Sequence, residues 1–264
     1  MRQSGILTKY DPKHGVSVAT LAYEYSPGFH VPEHAHGADQ LIYAIRGAME
    51  VSSGQSRWLV PPHFALWVPA RIRHRIYMPG EVSMRTLYLR PGLVRALPNR
   101  CAVLQATPLL RELIVEIVRL GRLRWKNRLE RALRAVTVAQ IESASTLPTQ
   151  ITMPKEARAR AAAEAVLQDP AQRQTLAGLC TDIGVSVRTM ERLFRREVGT
   201  PFELWRRQAR LMKAVQLLVD GCPVKQAAFT VGYRQPSAFV EAFRKSLGTT
   251  PKAWILGLEK LGAP

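Results

Sequence analysis

The chain has 264 residues, a length that allows one large or two medium-sized domains. With 47% hydrophobic and 22% charged residues, the composition excludes a disordered or collagen-like chain. The formal net charge is +18, from 38 Lys and Arg against 20 Asp and Glu, and this favours a polyanionic partner, either a nucleic acid or an acidic membrane face. No apolar run reaches the roughly 18 residues that a membrane helix needs, and we expect neither a signal segment nor a membrane partner.

The cysteines indicate the redox compartment. Cys101, Cys180 and Cys222 lie far apart and are odd in number. A set of reduced thiols fits this arrangement better than a disulfide framework, so we expect a cytoplasmic protein.

Residues 6–90 consist of short β segments separated by Gly and Pro. Examples are Val16–Leu21, Gln40–Ile45 and Met84–Leu89. Many short strands at this spacing are typical of a β-sandwich or barrel, and we assign this first domain to residues 1–95.

The periodicity becomes helical in residues 108–143, and we assign the helical segment to residues 96–144. One helix is predicted from Pro108, with apolar side chains repeating at i, i+3, i+4 and i+7. A second helix is predicted from Arg128 to Ile141. The residues of the repeating apolar face are Leu110, Leu113, Ile114 and Ile117. These four side chains can pack in the hydrophobic core of their own subunit.

Residues 145–154 contain two prolines and no period, so we expect a linker there. Residues 155–264 read as helical throughout and contain an internal repeat with an offset of 48 to 50 residues. A duplicated structural unit is the natural interpretation. The repeated positions include Gly184, Phe194 and Trp205, which are echoed by Gly232, Phe243 and Trp254.

The first repeat predicts a helix-turn-helix. A short helix ends at Gly184, which accepts the left-handed backbone of a tight turn, and Ser186 is a good N-cap for the next helix. That helix, from Val187 to Val198, carries arginines opposite its apolar stripe. The second helix of such a unit enters the major groove of DNA, where arginine matches the guanine edge and phosphate oxygens.

The second repeat predicts the same arrangement. A helix from Val224 to Val231 is followed by a turn at Gly232 and a helix from Pro236 to Leu247. The connecting helix of the two units would be roughly 28 Å long, close to one turn of B-DNA at about 34 Å. One monomer would then place two recognition helices in successive major grooves. The alternative is a basic helical bundle whose arginines only form a solvated face.

The stretch from Gly184 to Gly199 and its counterpart from Val231 to Pro251 resemble the AraC/XylS family of bacterial transcription regulators. The resemblance covers residues 155–257 and implies that Arg188, Glu191 and Arg192 lie where such proteins read bases. The DNA-binding residues that we expect are Ser186, Arg188, Thr189, Glu191, Arg192, Arg195, Gln235, Ser237, Arg244 and Lys245. Because Pro236 and Glu241 are poor base readers, we expect weaker or more phosphate-directed contacts in the second unit.

The N-terminal domain resembles a cupin. Residues 28–47 are similar to the first cupin motif, G-x5-H-x-H-x3-E-x6-G, with Gln40 in the place of Glu. Residues 69–74 are similar to the second motif, with Arg71 where Gly is usual, and the closing Asn is absent because Met78 stands there. This fits the sensor domain of a cupin-type subgroup of the same family.

The histidines of these motifs indicate a binding pocket. His34 and His36 are two apart, so on a strand both imidazoles face the same way. With His74 they offer three nitrogen ligands for Ni²⁺, Zn²⁺, Co²⁺, Fe²⁺ or Cu²⁺, while Gln40 is a poorer ligand than Glu. The alternative is a pocket in which these histidines hydrogen-bond each other or an organic effector.

We therefore predict an α+β protein with an N-terminal cupin β-barrel, dimerisation helices, and a C-terminal all-α domain with two helix-turn-helix units. The family resemblance implies that the helices of residues 96–144 form the seam of a homodimer, to which we assign Leu110, Leu113, Ile114 and Ile117. The predicted function is transcriptional regulation controlled by a metal ion or small molecule, with double-stranded DNA and RNA polymerase as partners.

Two other functions remain open at this point. One is a cupin metalloenzyme, a dioxygenase or isomerase, that carries a DNA-binding tail. The missing Glu, the degraded second motif and the lack of an acid/base pair disfavour an enzyme. The other is a nucleoid-type structural protein, which would bind DNA without sequence preference.

Overall fold

The computed structural model describes residues 10–147, 150–172 and 174–262. It divides into two compact units. Among the described residues, the first consists mainly of 10–54 and 58–147, and the second consists of 55–57, 150–172 and 174–260. None of the helices in these described ranges is long and apolar enough to span a lipid bilayer.

The first unit is built from two antiparallel sheets, as the β-rich pattern predicts. A seven-stranded sheet has the order β10-β1-β8-β3-β6-β9-β11, and in the second sheet β5, β4, β7 and β2 follow one another. The strands are β1 (Val16–Tyr25), β2 (His30–His34), β3 (Asp39–Arg46), β4 (Met49–Ser53), β5 (Ser56–Val60), β6 (Phe64–Val68), β7 (His74–Tyr77), β8 (Val82–Leu89), β9 (Ala102–Gln105), β10 (Arg122–Arg124) and β11 (Thr146–Leu147).

The predicted boundary at residue 95 does not separate two bodies. The helices α1 (Pro108–Leu120) and α2 (Arg128–Ser143) form with the β strands one hydrophobic core, and β9, β10 and β11 complete the seven-stranded sheet. Both helices begin at side-chain caps, Thr107 accepting from the Leu110 N–H and Asn127 from the Glu130 N–H. Residues 10–147 therefore form one folded unit.

The assignment of Leu110, Leu113, Ile114 and Ile117 to a dimer seam is wrong. All four side chains are buried in the single chain, three of them in the core cluster that contains Leu41 and Leu87. Side chains that already fill the core of their own subunit have no surface left for a partner. The helical period of this segment therefore reports packing within the subunit.

The second unit is helical. Its helices are α3 (Ala157–Gln168), α4 (Leu176–Ile183), α5 (Val187–Glu197), α6 (Phe202–Val219), α7 (Val224–Thr230), α8 (Pro236–Leu247) and α9 (Pro251–Gly262). Met190, Phe194, Phe202 and Trp205 are buried at its centre. These elements agree with the predicted all-α domain and confirm the two-domain α+β class.

The predicted linker is partly structured. Residues 145–154 contain β11 and a further strand, β12 (Gln150–Thr152), and Met153 is buried in the helical core. The Trp205 indole N–H donates to the Thr152 carbonyl at 2.8 Å, and Gln208 Nε2 donates to the Gln150 carbonyl at 2.8 Å. Residues 150–154 are therefore an integral part of the helical unit, whereas Pro148 and Thr149 lie outside the described residues.

Candidate functional site

Three histidines meet between the second-sheet strands β2 and β7. His34 ends β2 and pairs in register with His74, the first residue of β7, while His36 lies two residues further along the chain. The ring centroids are 4.3 Å apart for His34 and His74, 5.2 Å for His36 and His74, and 5.9 Å for His34 and His36. All three residues are buried, and one ligand nitrogen of each lies within 4.8 Å of the others. The structure thus brings together the three histidines that the motifs single out.

Backbone carbonyls orient the three rings. Nδ1 lies 2.8 Å from the Pro32 carbonyl in His34, 2.8 Å from the Ala38 carbonyl in His36 and 3.0 Å from the Ile72 carbonyl in His74. A carbonyl oxygen only accepts, so in His34 and His74 Nδ1 carries the proton and Nε2 keeps its lone pair. The buried Nε2 of His74 has no hydrogen-bond partner among the described residues.

Gln40 contacts His36 through Nε2, the ring nitrogen opposite the one that faces the Ala38 carbonyl. Its Oε1 lies 2.8 Å from Nε2 of His36, and its amide nitrogen donates to Thr86 Oγ1 at 3.1 Å. A neutral imidazole has one donor, so the tautomer of His36 decides whether Nδ1 donates to the Ala38 carbonyl or Nε2 donates to Gln40. Gln40 therefore links His36 to Thr86 through its side-chain amide.

Burial keeps His34 and His74 neutral. It lowers the pKa of His74 to about 3, and the neighbouring His34 adds to that effect. Burial also lowers the pKa of His34, with His36 contributing in the same direction. Neutral imidazole is the form that binds metal ions, so His34 and His74 are in the ligating form at neutral pH.

Sequence reasoning missed the residues that surround the cluster. Tyr88 packs edge-on against His36 at 5.2 Å, and Tyr10 stacks on Tyr88 at 5.3 Å. The Asp11 carboxylate accepts from the backbone N–H groups of Gly37 and Ala38, at 3.1 Å each, and so holds the turn after His36. Tyr88 pairs in register with Gln40. The alternation Thr86-x-Tyr88, which places both side chains on one face of β8, is the signal that identifies this wall.

The remaining arginines and histidines of the motifs lie outside the cluster. Arg71 has a left-handed backbone, with φ +66°, which explains why Gly is usual at that position. His30 stacks on Tyr77 at 4.5 Å and is exposed. Arg73 lies 3.9 Å from Glu33 on the surface.

The first helix-turn-helix comprises α4, the turn at Gly184 and α5. Gly184 has φ +72°, and the Ser186 side chain accepts from the Thr189 N–H at 3.2 Å. Met190, Leu193 and Phe194 pack inward, so the exposed face of α5 carries Arg188, Arg192 and Arg195.

Two of the expected DNA-binding residues on α5 are only partly exposed. Thr189 is half-buried and accepts the Ser186 hydroxyl at 3.0 Å. Glu191 is half-buried beside Cys180, whose pKa is raised first by burial and then by the Glu191 charge. The Glu191 carboxylate also lies 3.9 Å from Arg195 Nε. Arginines thus dominate the exposed face of this helix.

The second helix-turn-helix comprises α7, the turn at Gly232 and α8. Phe239 and Phe243 are buried, and four of the expected DNA-binding residues are exposed on or next to α8. Lys245 forms an ion pair with Glu241 at 2.9 Å, which reduces the free positive charge of this face. Gln235 occupies the N-cap position without capping through its side chain. The exposed residues are Gln235, Ser237, Arg244 and Lys245.

Comparison with known families accounts for both units. Residues 18–196 match the AraC-like ligand binding domain, and residues 179–256 match a helix-turn-helix domain. The chain belongs to the AraC family. The chain is 29% identical over 254 residues to the HTH-type transcriptional regulator NimR of Escherichia coli strain K12, covering 96% of this chain and 93% of that protein.

Two further similarities are more distant. The HTH-type transcriptional regulator RipA of Corynebacterium glutamicum is 32% identical over 111 residues, which cover 42% of this chain and 34% of RipA. The solved structure of ToxT from Vibrio cholerae is 11% identical, with a TM-score of 0.39, and the match covers 91% of this chain and 98% of ToxT.

This AraC-family member is a DNA-binding transcriptional regulator with an N-terminal ligand-binding domain. The prediction of a two-unit regulator is thereby confirmed. Its named relatives are transcriptional regulators, and the comparisons give no support to a metalloenzyme with a DNA-binding tail.

Proposed function

We propose that this regulator binds one divalent transition metal through His34, His36 and His74, and that the bound metal changes its affinity for operator DNA. The observation that carries the proposal is the buried cluster itself, with ligand nitrogens within 4.8 Å of one another and the Nε2 of His74 without a partner among the described residues. A buried unpaired nitrogen costs free energy that a metal ligand bond offsets.

The donor set selects the class of metal. Three neutral imidazoles suit Ni²⁺, Zn²⁺, Co²⁺ and Fe²⁺, and the carbonyls on the Nδ1 atoms hold the rings in a ligating orientation. When bound, such a metal supplies positive charge and open coordination positions. Because Gln40 replaces a carboxylate, the protein does not neutralise that charge, so the site favours an anionic small-molecule effector beside the metal.

The strands carry the expected response. His34 and His74 are register partners on β2 and β7, so shared ligation fixes the spacing of these strands. A ligand shifts a conformational equilibrium only through different affinities for the two states. Two conformations of the protein that differ in the spacing of β2 and β7 would bind the metal with different affinities, as this response requires.

The metal content of the full chain, purified without chelator or affinity tag, tests the site. We expect one equivalent of Ni, Zn, Co or Fe in the wild type and in His63→Asn, a control that removes another buried histidine nitrogen. We expect none in His34→Ala/His36→Ala. A wild type that contains no metal and takes up no added Ni²⁺, Zn²⁺ or Co²⁺ would refute the metal. Thermal-shift screening of small molecules would then examine the pocket as an organic-effector site.

We assign the DNA contacts to the exposed faces of α5 and α8. Arg188 and Arg192 are the proposed base readers of the first unit, because an exposed arginine near a helix N-terminus matches the guanine edge. The α8 face is proposed to contact mainly phosphates, since its Glu241–Lys245 pair is a poor base reader. The remaining contacts that we propose are Ser186, Thr189, Glu191, Arg195, Gln235, Ser237, Arg244 and Lys245.

We also propose a homodimer, with its seam on the exposed face of α2. Leu129 and Val136 are 63% and 42% exposed, and both are large apolar side chains on a helix surface. With the exposed Ala132 and Ala139 they repeat at spacings of three, four and three residues, which is the pattern of a helix-to-helix seam. A second copy of the same face is the complementary occupant.

The cellular setting follows from the same function. The three free cysteines fit a reducing compartment, and we place the protein in the cytoplasm, associated with the nucleoid when bound to DNA. RNA polymerase is the proposed partner at promoters.

A further inference from the structure

A dense basic cluster lies in the ligand-binding unit, outside both helix-turn-helix units. Between Arg119 and Arg134 the sequence contains seven basic residues and one acidic residue, a net charge of +6. These 16 residues therefore carry a third of the net charge of +18. Neither the histidine cluster nor the recognition helices account for this charge.

The basic cluster lies on the surface, on an edge strand and on the first turn of a helix. The three-residue strand β10 is at the edge of the seven-stranded sheet, with Leu123 buried and its neighbours exposed. The helix α2 begins six residues after Arg122, and its first turn is exposed apart from Glu130. Charge on the edge strand protects it from pairing with other strands, but that does not explain the charge on the helix.

Two of the seven basic side chains form ion pairs, and a third, Arg134, hydrogen-bonds to the Ser17 hydroxyl. Arg119 is paired with Glu116, and Arg124 with Glu130. Within the described part of the chain, no ion pair or side-chain hydrogen bond involves the other four exposed residues, which we call the basic patch. The basic patch consists of Arg122, Lys126, Arg128 and Arg131.

The charges of the basic patch are unfavourable for the stability of α2. The N-terminus of a helix carries partial positive charge, which disfavours the nearby Arg128 and Arg131, while Glu130 is the acidic residue of the first turn of α2. Arg128, Arg131 and Arg134 also repeat at i, i+3, a spacing at which like charges repel. Arg134 shows the effect: burial lowers its pKa, and the charge of Arg131 lowers it further. A bound polyanion relieves both penalties.

An exposed aromatic ring adjoins the basic residues. Trp125 is 37% exposed and lies between Arg124 and Lys126 in the sequence. The Arg134 guanidinium covers one face of the Trp125 ring at 4.3 Å, which fixes both side chains. Its indole N–H is a donor that suits a phosphate oxygen.

We propose that the basic patch binds backbone phosphates of the DNA that flanks the segment held by the two helix-turn-helix units. The proposal rests on the DNA-binding function of the chain, because DNA held by the helix-turn-helix units is a polyanion already bound to the same protein. The patch would add affinity without reading sequence, since phosphate contacts carry no base information. It would also make a bound site longer than the recognition helices alone require.

The test compares two charge-matched variants of the full chain. The patch variant replaces all four basic-patch residues with Gln. The control variant replaces four other exposed arginines of the same unit with Gln, so that the loss of charge is identical. The control arginines are Arg46, Arg75, Arg95 and Arg100.

The probes are two duplexes bearing the sequence that the wild-type chain enriches from a random DNA pool. One spans about 60 base pairs, and the other is its central portion of about 24 base pairs, roughly two helical turns. Affinity for each is measured by fluorescence anisotropy over a series of salt concentrations without added metal. Circular dichroism verifies that both variants are folded.

On the long duplex we expect the patch variant to bind at least about tenfold more weakly, with the slope of log K against log salt reduced by about 3 to 4. On the short duplex it should bind like the wild type, and the control variant should differ little on either. Equal losses on both duplexes, or equal losses in both variants, would overturn the proposal. An unchanged affinity of the patch variant for the long duplex would also overturn the proposal. If the patch variant instead bound more weakly only to vesicles of anionic lipid, the partner of the basic patch would be a membrane surface and not DNA. Metal dependence is not involved, so the outcome is independent of the proposed metal site.

Discussion

The two helix-turn-helix units contain a matched pair of glycines whose replacement separates two physical effects. Gly184 has φ +72° and Gly232 has φ +86°, so both require the left-handed backbone region that disfavours alanine. A Cβ on Gly184 would meet nothing within 4 Å. A Cβ on Gly232 would lie 3.1 Å from the guanidinium of Arg210 and 3.1 Å from the Pro170 carbonyl oxygen.

The atoms around each glycine determine how much its replacement by alanine lowers the stability of the helix-turn-helix unit. The left-handed conformation costs an alanine about 1–2 kcal/mol, and this is the whole expected effect of Gly184→Ala. Arg210 cannot give way freely, because its Nε donates to the Pro170 carbonyl at 2.7 Å and its second terminal nitrogen to the Gln172 carbonyl at 2.9 Å. Weakening one such charged hydrogen bond adds about 1.5–3 kcal/mol, so we expect about 3–4 kcal/mol for Gly232→Ala.

Hydrogen exchange read by mass spectrometry measures both variants in the intact chain. At about 1.4 kcal/mol per factor of ten, backbone amides of α7 and α8 should exchange about two orders of magnitude faster in Gly232→Ala. Amides of α4 and α5 should exchange about tenfold faster in Gly184→Ala. Peptides from β3 and β8 are the internal control and should not change. Equal effects of the two substitutions, or a larger effect at Gly184, would refute the reasoning.

Three further predictions concern DNA recognition, assembly and acid stability. Arg192→Ala should weaken binding to the enriched DNA site by about 1–3 kcal/mol more than binding to random DNA, measured by competition. Leu129→Glu with Val136→Glu should dissociate the dimer in sedimentation velocity without lowering the melting temperature, because both side chains are exposed. His63→Asn should flatten the fall in the free energy of unfolding between pH 6.5 and 4 by about 0.5–1 kcal/mol per pH unit, measured by urea denaturation.

The sign of the acid effect follows from burial. Burial lowers the pKa of His63 to about 4, with the charge of Arg111 as the second cause. A histidine whose folded pKa is depressed contributes stability that is present above the unfolded pKa and lost as pH falls toward the folded value. An equally steep fall in His63→Asn would contradict this assignment.

The other two predictions are refuted by simple outcomes. Equal losses on specific and random DNA would identify Arg192 as a phosphate contact. A wild type that sediments as a monomer at tens of micromolar, or a double variant that remains a dimer, would refute the seam on α2. Ile114→Ala is the core control: it should lower stability by about 2–5 kcal/mol and leave assembly unchanged.

The elements that the sequence predicts well are those with local signals. The turn at Gly184, the Ser186 cap and the apolar stripe of α5 are encoded within a dozen residues, and they appear in the structure where the pattern places them. The strands β3 and β8 are predicted because their apolar runs are long and bounded by turn residues.

The elements that the sequence does not reveal depend on distant partners. The strand β2 has only one apolar side chain and a proline, and it exists through its pairing with β7, about forty residues away in the chain. The strand β10 has three residues and depends on β1, about a hundred residues earlier. Hydrophobic periodicity likewise cannot tell whether a face such as Ile114 and Ile117 packs within one subunit or between two.

In the histidine cluster, too, the sequence predicts some features and not others. The cupin-like motifs identify His34, His36 and His74, but the roles of their neighbours depend on three-dimensional contacts. Gln40 stands in the motif position of a ligand, and its side-chain amide hydrogen-bonds to Nε2 of His36 and to the Thr86 hydroxyl. The spacing of a motif specifies which residues meet, whereas hydrogen-bond partners decide what each of them does.

The affinity of the full chain for its enriched DNA site, with and without the metal that it takes up, tests the central claim most directly. We expect the metal to change the wild-type Kd by about 5–150-fold, a coupling of about 1–3 kcal/mol, and to change that of His63→Asn equally. In His34→Ala/His36→Ala the Kd should be the same in both conditions. A wild type that binds metal stoichiometrically but whose DNA affinity does not respond, or a double variant that responds fully, would contradict the account.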